Sequence, residues 1–174
     1  NEIAAIWQNT QSSIFFSENI PLKQIVSARA NGTTNYPYVA LDRTNWSITA
    51  TNTSEWTPIS NMIDGSTDTK WSSGTLQSSG QSITIDLSKS ENFDKIELIS
   101  SGDDYPGSYI VEISNDGIHY SSVNLNNIDI GFGSKMVLLP STPQTARYLR
   151  ISLTSSKNKW WAINELNVYW RNVN

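Results

Sequence analysis

Asn61-Met-Ile-Asp64-Gly65-Ser66-Thr-Asp68-Thr69-Lys-Trp71 packs a carboxylate, a glycine turn, a hydroxyl and an aromatic into eleven positions. About ninety residues later comes Trp160-Trp-Ala-Ile-Asn164-Glu165. Oxygens grouped in this way suit a hard cation. Ca2+ takes six to eight oxygens at about 2.3–2.6 Å, drawn from carboxylates, hydroxyls and backbone carbonyls. A tight turn can aim several carbonyls at one point, and a distant glutamate can close the shell. Asp and Gly also favour turns where no ion is present, so the motif alone leaves both readings open.

Other chemistry is sparsely provided for. Cysteine is absent, which removes disulfides, thiolate nucleophiles and Cys-ligated metals. The one histidine, His119, lies beside a hairpin turn, is expected to have no acidic or serine partner, and reads as a solvated loop residue. Nothing resembles a nucleophile with its base. Glycosidases use two carboxylates flanking a bond, but sixteen acidic residues contain some such pair by chance, and no enzyme is expected. The net charge of -4, with no basic run, argues against nucleic acid and against anionic lipid. The only basic loop cluster is Lys157-Asn-Lys159. Seven Trp and seven Tyr supply flat apolar faces with polar handles, suited to cores and to wet binding surfaces alike.

The elements that must position these residues are strands. Ser82–Leu87, Ser108–Ser114 and Arg147–Leu153 alternate polar and apolar with period two. Lys95–Ser100, Lys135–Leu139 and Glu165–Trp170 read as further strands. Asn115-Asp116-Gly117 is a hairpin turn, since Gly tolerates positive φ. Asp103–Gly107 and Gly131–Ser134 are predicted loops. Many short strands without an amphipathic helix predict an all-β, antiparallel β-sandwich. Residues 1–40 show no clear period and read as an N-terminal extension, a linker or the tail of a preceding domain, ahead of a sandwich over 41–174. No stretch of these residues reads as a signal peptide or as an apolar run long enough to span a bilayer. Low charge with abundant Ser, Thr and Asn suggests an extracellular, periplasmic or cell-surface protein. The sequons at Asn31, Asn45 and Asn52 are expected by chance in such a composition.

The order of signals is more specific than any one of them. It runs Trp46-Ser-Ile-Thr-Ala50, Ile63-Asp-Gly65, Thr69-Lys-Trp71, Ile83–Leu87, Tyr109–Gly117, Ala146–Ile151 and Ala162–Tyr169. This succession resembles the discoidin family, the coagulation factor 5/8 C-terminal domain, and within it bacterial family 32 carbohydrate-binding modules. The resemblance covers about residues 41–170. It implies a jelly-roll sandwich of the galactose-binding-domain type, with one structural Ca2+ near the meeting point of the chain ends. Asn61 and Ser66 would give carbonyls, Asp64 a carboxylate oxygen, and Thr69 its hydroxyl and carbonyl. Asn164 would give a carbonyl and Glu165 a carboxylate.

The resemblance also implies a non-catalytic module that binds glycan or cell-surface carbohydrate through loops at one end. Such a module would be monomeric and part of a larger exported bacterial protein that processes or binds glycans. The alternative is a discoidin-type adhesion or structural module without a sugar site. Sugar rings want an aromatic platform and a few directional polar groups. Trp160 is the best platform, and either it or Trp161 is expected to face the core. Tyr105, Asp104, Glu55 and Trp56 are further candidates, and Trp71 is expected in the core. Galactose-binding relatives present a His shortly after the Trp equivalent to Trp71 and an Arg in the next loop. Here Ser72 and Ser73, and later Ser100 and Ser101, stand instead, which weakens a galactose assignment.

Overall fold

The computed structural model describes residues 36–130 and 135–171. Val39–Trp170 form one compact unit. Most of the 1–40 extension, the sequon at Asn31 and the Gly131–Ser134 loop lie outside the described residues.

The strands in chain order are β1 (Val39–Ala40), β2 (Ser47–Ala50), β3 (Trp71–Gln77), β4 (Ser82–Phe93), β5 (Lys95–Ile99) and β6 (Tyr109–Ser114). There follow β7 (Ser121–Ser122), β8 (Leu125–Ile130), β9 (Lys135–Pro140), β10 (Gln144–Leu153), β11 (Lys157–Ile163) and β12 (Glu165–Trp170). A 3-10 turn at Ile59–Met62 leads into the Asp-Gly loop. One five-stranded sheet has the order β1-β12-β5-β9-β8 and the other β2-β4-β10-β6-β7, while β11 and β3 form a separate two-stranded ladder. Every pairing is antiparallel. No helix among the described residues is long and apolar enough to cross a membrane.

The period-two pattern explains the core. Ile83, Ile85 and Leu87 of β4, with Leu149, Ile151 and Leu153 of β10, turn inward from one sheet. Ile96 and Leu98 of β5, Met136 and Leu138 of β9, and Leu166 and Val168 of β12 come from the other. All belong to one buried cluster, as the two inner faces of a sandwich should. On the outer face of the sheet that holds β4, β10 and β6, Arg150 forks onto Glu112 at 2.9 and 3.0 Å, and Arg147 onto Asp86 at 2.8 and 2.9 Å.

Three local expectations need correction. Lys157-Asn-Lys159 and Trp160 are not in a loop; they open β11, paired with β3. Two register shifts, between Lys157 and Trp160 and between Trp160 and Ala162, break the alternation that would have marked the strand. The 82–87 strand continues to Phe93, past Ser88 at φ 70°, whose N–H is held by Asp86 Oδ1 at 2.8 Å. His119 is solvent-exposed as expected, but it has an acidic partner. Its Nδ1 lies 2.7 Å from Asp116 Oδ2. Its own N–H and that of Ile118 cap the other carboxylate oxygen, and together these contacts hold the Asp116 carboxyl far below the usual range.

Candidate functional site

The β3–β11 ladder separates the adjacent tryptophans of β11. Trp161 is buried, its ring edge-on to Trp71 with centroids 5.6 Å apart at 78°. Trp160, one residue earlier, points the other way and is 48% exposed. Beside it opens a cleft of about 310 Å3. Asn52–Trp56 form one wall, and Ser73–Thr75 of β3 line its floor. Trp56 is 88% exposed. Two aromatic faces thus border one polar-lined cleft, and the carboxylate of Glu55 sits in its wall without a hydrogen-bond or ion-pair partner among the described residues.

The wall is pinned by small polar residues. Ser54 N–H donates to Ser72 O at 2.9 Å, and Trp71 Nε1–H donates to Thr53 Oγ1 at 3.1 Å. Thr57 Oγ1 accepts from Ser72 N–H at 3.0 Å. Ser73 Oγ accepts from Trp161 N–H at 3.1 Å and donates to Thr75 O at 2.7 Å. Gly74 adopts φ +66°, and a Cβ there would stand 3.0 Å from Ser54 Cα. A glycine lets the floor and the wall touch backbone to backbone. Ser72 and Ser73 are therefore buried structural ties.

The structure brings Glu55, Trp56 and Trp160 to one cleft and leaves Asp104 and Tyr105 outside its lining. Asp104 O accepts from Ala162 N–H at 3.0 Å, and Asp104 Oδ2 lies 3.9 Å from Lys70 Nζ. The Tyr105 ring packs on the core under Lys157 Nζ, 3.7 Å from its centroid. Gln77 joins the two regions. Its buried amide donates to Tyr105 O at 3.0 Å and to Trp160 O at 3.2 Å, while its Oε1 accepts from Gly107 N–H at 3.1 Å. Sequence reasoning missed Gln77, Ser73 and Gly74, because a single small polar residue in a strand carries no spacing signal.

The Asp-Gly loop and the start of β12 also meet. Gly65 N–H donates to Glu165 Oε2 at 3.1 Å, so Asp64 and Glu165 stand at the same end of the molecule. Asp64 Oδ2 accepts the Thr69 hydroxyl at 2.6 Å, and Asp64 Oδ1 accepts Ser66 N–H at 2.9 Å. The Thr69 hydroxyl is also 3.3 Å from Ser66 O. These bonds, the hydroxyl first, hold the Asp64 carboxyl below its usual range. Asn164 Nδ2–H donates to Thr67 O at 2.9 Å and Asn61 Nδ2–H to Lys70 O at 3.0 Å, so both amides staple the loop. Among the described residues, no three His, Cys, Asp or Glu side chains group as metal ligands. An ion here would rest on two carboxylates and neutral oxygens. That donor set is hard and oxygen-only, which fits Ca2+ in kind. It also contains a competitor, since the Arg43 guanidinium contacts Glu165 Oε1.

Residues 45–166 match the family model described as F5/8 type C domain. The chain belongs to the F5/8 type C domain family. No curated protein sequence matches it. Among solved structures, this F5/8 type C domain is similar to a family 32 carbohydrate-binding module of Clostridium perfringens NanJ, solved with galactose. Identity is 21%, the TM-score 0.65, and the match covers 76% of this chain and 99% of that one. It is also similar to a Clostridium perfringens module solved with GalNAc-beta-1,3-galactose, at 24% identity and TM-score 0.63, over 75% of this chain and 99% of that one. A truncated AlyQ comprising a family 32 module and an alginate lyase domain matches at 23% identity and TM-score 0.64, over 80% of this chain and 35% of that one. These likenesses establish the carbohydrate-binding-module fold of the domain.

Proposed function

We propose that this F5/8 type C domain is a non-catalytic carbohydrate-binding module that takes its ligand in the Trp56–Trp160 cleft. The observation that carries this reading is two solvent-facing tryptophans, 88% and 48% exposed, lining one cleft together with small polar residues and Glu55. The C–H faces of a sugar ring pack on such indoles while its hydroxyls meet Asn52, Ser54, Glu55 and Thr75 at the rim. A cleft this open makes few contacts, so a single site should bind weakly. Tethering would raise the effective concentration of an attached enzyme or receptor on its glycan. The AlyQ architecture supports a place beside a catalytic domain in a larger glycan-processing protein, which we place outside the cytoplasm, where glycans are met.

We also propose a structural Ca2+ held by Asp64, Glu165, Thr69 and carbonyls of Asn61, Ser66 and Asn164. Its role would be to clamp the Asp-Gly loop to β12, leaving the cleft as the ligand site.

A glycan array followed by calorimetric titration tests the cleft. Trp160→Ala and Trp56→Ala should each lower glycan affinity at least tenfold. Trp56→Ala should melt within about 0.5 kcal/mol of wild type, as surface substitutions do. Glycan binding unchanged in both variants would show that the ligand sits elsewhere. No binding by the intact module to any glycan would leave the adhesion reading.

A further inference from the structure

One of the two carboxylates proposed for calcium, Glu165, already faces a cation that belongs to the chain. Arg43, between β1 and β2, sets Nη1 against Glu165 Oε1 and donates from the same nitrogen to Leu166 O at 3.0 Å. The Arg43 side chain is 22% exposed and that of Glu165 only 5%. A carboxylate this deeply buried is unfavourable unless a countercharge and hydrogen bonds meet it. Glu165 has both without any metal: Gly65 N–H on Oε2 and the guanidinium on Oε1. Arginine suits the place, because it stays charged at every working pH and is weakly hydrated.

We propose that Arg43 is a built-in counter-cation that holds the Asp-Gly loop against β12 without metal, and that calcium must displace it from Glu165 to bind. The second half rests on the calcium reading above; the first does not. A guanidinium and a divalent ion repel each other at one carboxylate oxygen, so the two occupants exclude each other there. Arg43 would swing toward solvent when the ion enters, losing its bond to Leu166 O. Calcium affinity is therefore set by Arg43 as much as by the ligands, and removing the ion leaves the clamp closed.

The test compares the full chain with Arg43→Gln, which keeps a donor for Leu166 O and removes the charge. Chelator-treated protein is titrated with Ca2+ by calorimetry, and both proteins are melted with chelator and with Ca2+. Wild type should be fully folded in chelator, and its melting point should rise less on adding Ca2+ than that of R43Q. R43Q should bind Ca2+ at least tenfold more tightly, melt lower in chelator, and recover on adding Ca2+. Equal Ca2+ affinity in the two proteins would overturn displacement. If neither binds Ca2+, the calcium reading fails with it, and the chelated melts alone decide the counter-cation. A lower-melting R43Q then keeps that role, and an equal one removes it. Should R43Q fail to fold without metal, Arg43→Lys, which keeps the charge but not the fork, should fold in chelator and bind Ca2+ with intermediate affinity. Arg43→Lys unfolded in chelator would overturn the idea that charge is what matters.

Discussion

Replacing Gly74 by alanine separates two roles of one residue. At φ +66° an L side chain costs about 1–2 kcal/mol. The new Cβ would also stand 3.0 Å from Ser54 Cα, 3.1 Å from Ser54 Cβ and 3.3 Å from Ser54 N. Two of these are backbone atoms that no rotamer change can remove. Overpacking of this kind adds about 1–3 kcal/mol, for a total of about 2–5 kcal/mol. With melting moving roughly 3 °C per kcal/mol in a domain of this size, the transition should fall by about 6–15 °C. Gly80→Ala is the control. Gly80 also has positive φ, at +90°, but a Cβ there meets nothing within 4 Å. It should lose only the conformational part, about 1–2 kcal/mol. Scanning calorimetry gives the difference between the two variants. Glycan titration then tests the consequence for the cleft, because relief of the Ser54 contact moves the wall that carries Glu55 and Trp56. Only the Gly74 variant should bind more weakly. Equal melting losses in the two variants, with affinity intact in both, would refute the close approach as the restraint on that wall.

Trp161→Ala removes a buried indole from its edge-on contact with Trp71 and should lose about 3–5 kcal/mol in denaturant titration. The Arg150 fork, followed by the Ser152 hydroxyl, holds the Glu112 carboxyl below its ordinary value of 4.5, against the opposing effect of burial. Its contribution is thus full above the ordinary carboxylate pKa and is lost as pH falls through the lowered one. Melting measured from pH 6 down to pH 2 should fall more steeply in wild type than in Glu112→Gln, and parallel curves would show that this pair adds nothing. The substitutions at Trp160, Trp56 and Arg43 described above complete the set.

The sandwich was legible where burial alternates. Ser82–Leu87, Tyr109–Ser114 and Arg147–Leu153 each show one face to the core and one to water, and each is a strand in the structure. The β11 strand was not legible, because its register shifts break the alternation: Asn158–Trp160 are all exposed and Trp161–Ile163 all buried. The convergence of Asp64 with Glu165 could be expected only from the order of motifs, since about a hundred residues separate them. Arg43 had no signal, as a lone arginine ahead of Trp46 looks like any loop cation. The residue types of the cleft were readable, but which of them meet was not. Glu55 and Trp56 share a cleft with Trp160 because Ser54 N–H donates to Ser72 O and Trp161 N–H to Ser73 Oγ, bonding that no periodicity announces. Asp104 and Tyr105 share the cleft's chemistry, yet their loop is drawn to Lys70, Lys157 and Ala162.

The first and last strands of the sandwich lie side by side, with Val39 opposite Trp170 and Ala40 opposite Tyr169. Tension applied between residues 39 and 170 therefore acts across directly opposed positions. It loads one rung at a time, so β1 peels away under small forces. The ladder of β12 with β5 has five opposed pairs and is reached only afterwards. Under flow or drag the domain would yield first by this short unzipping, with its core still closed.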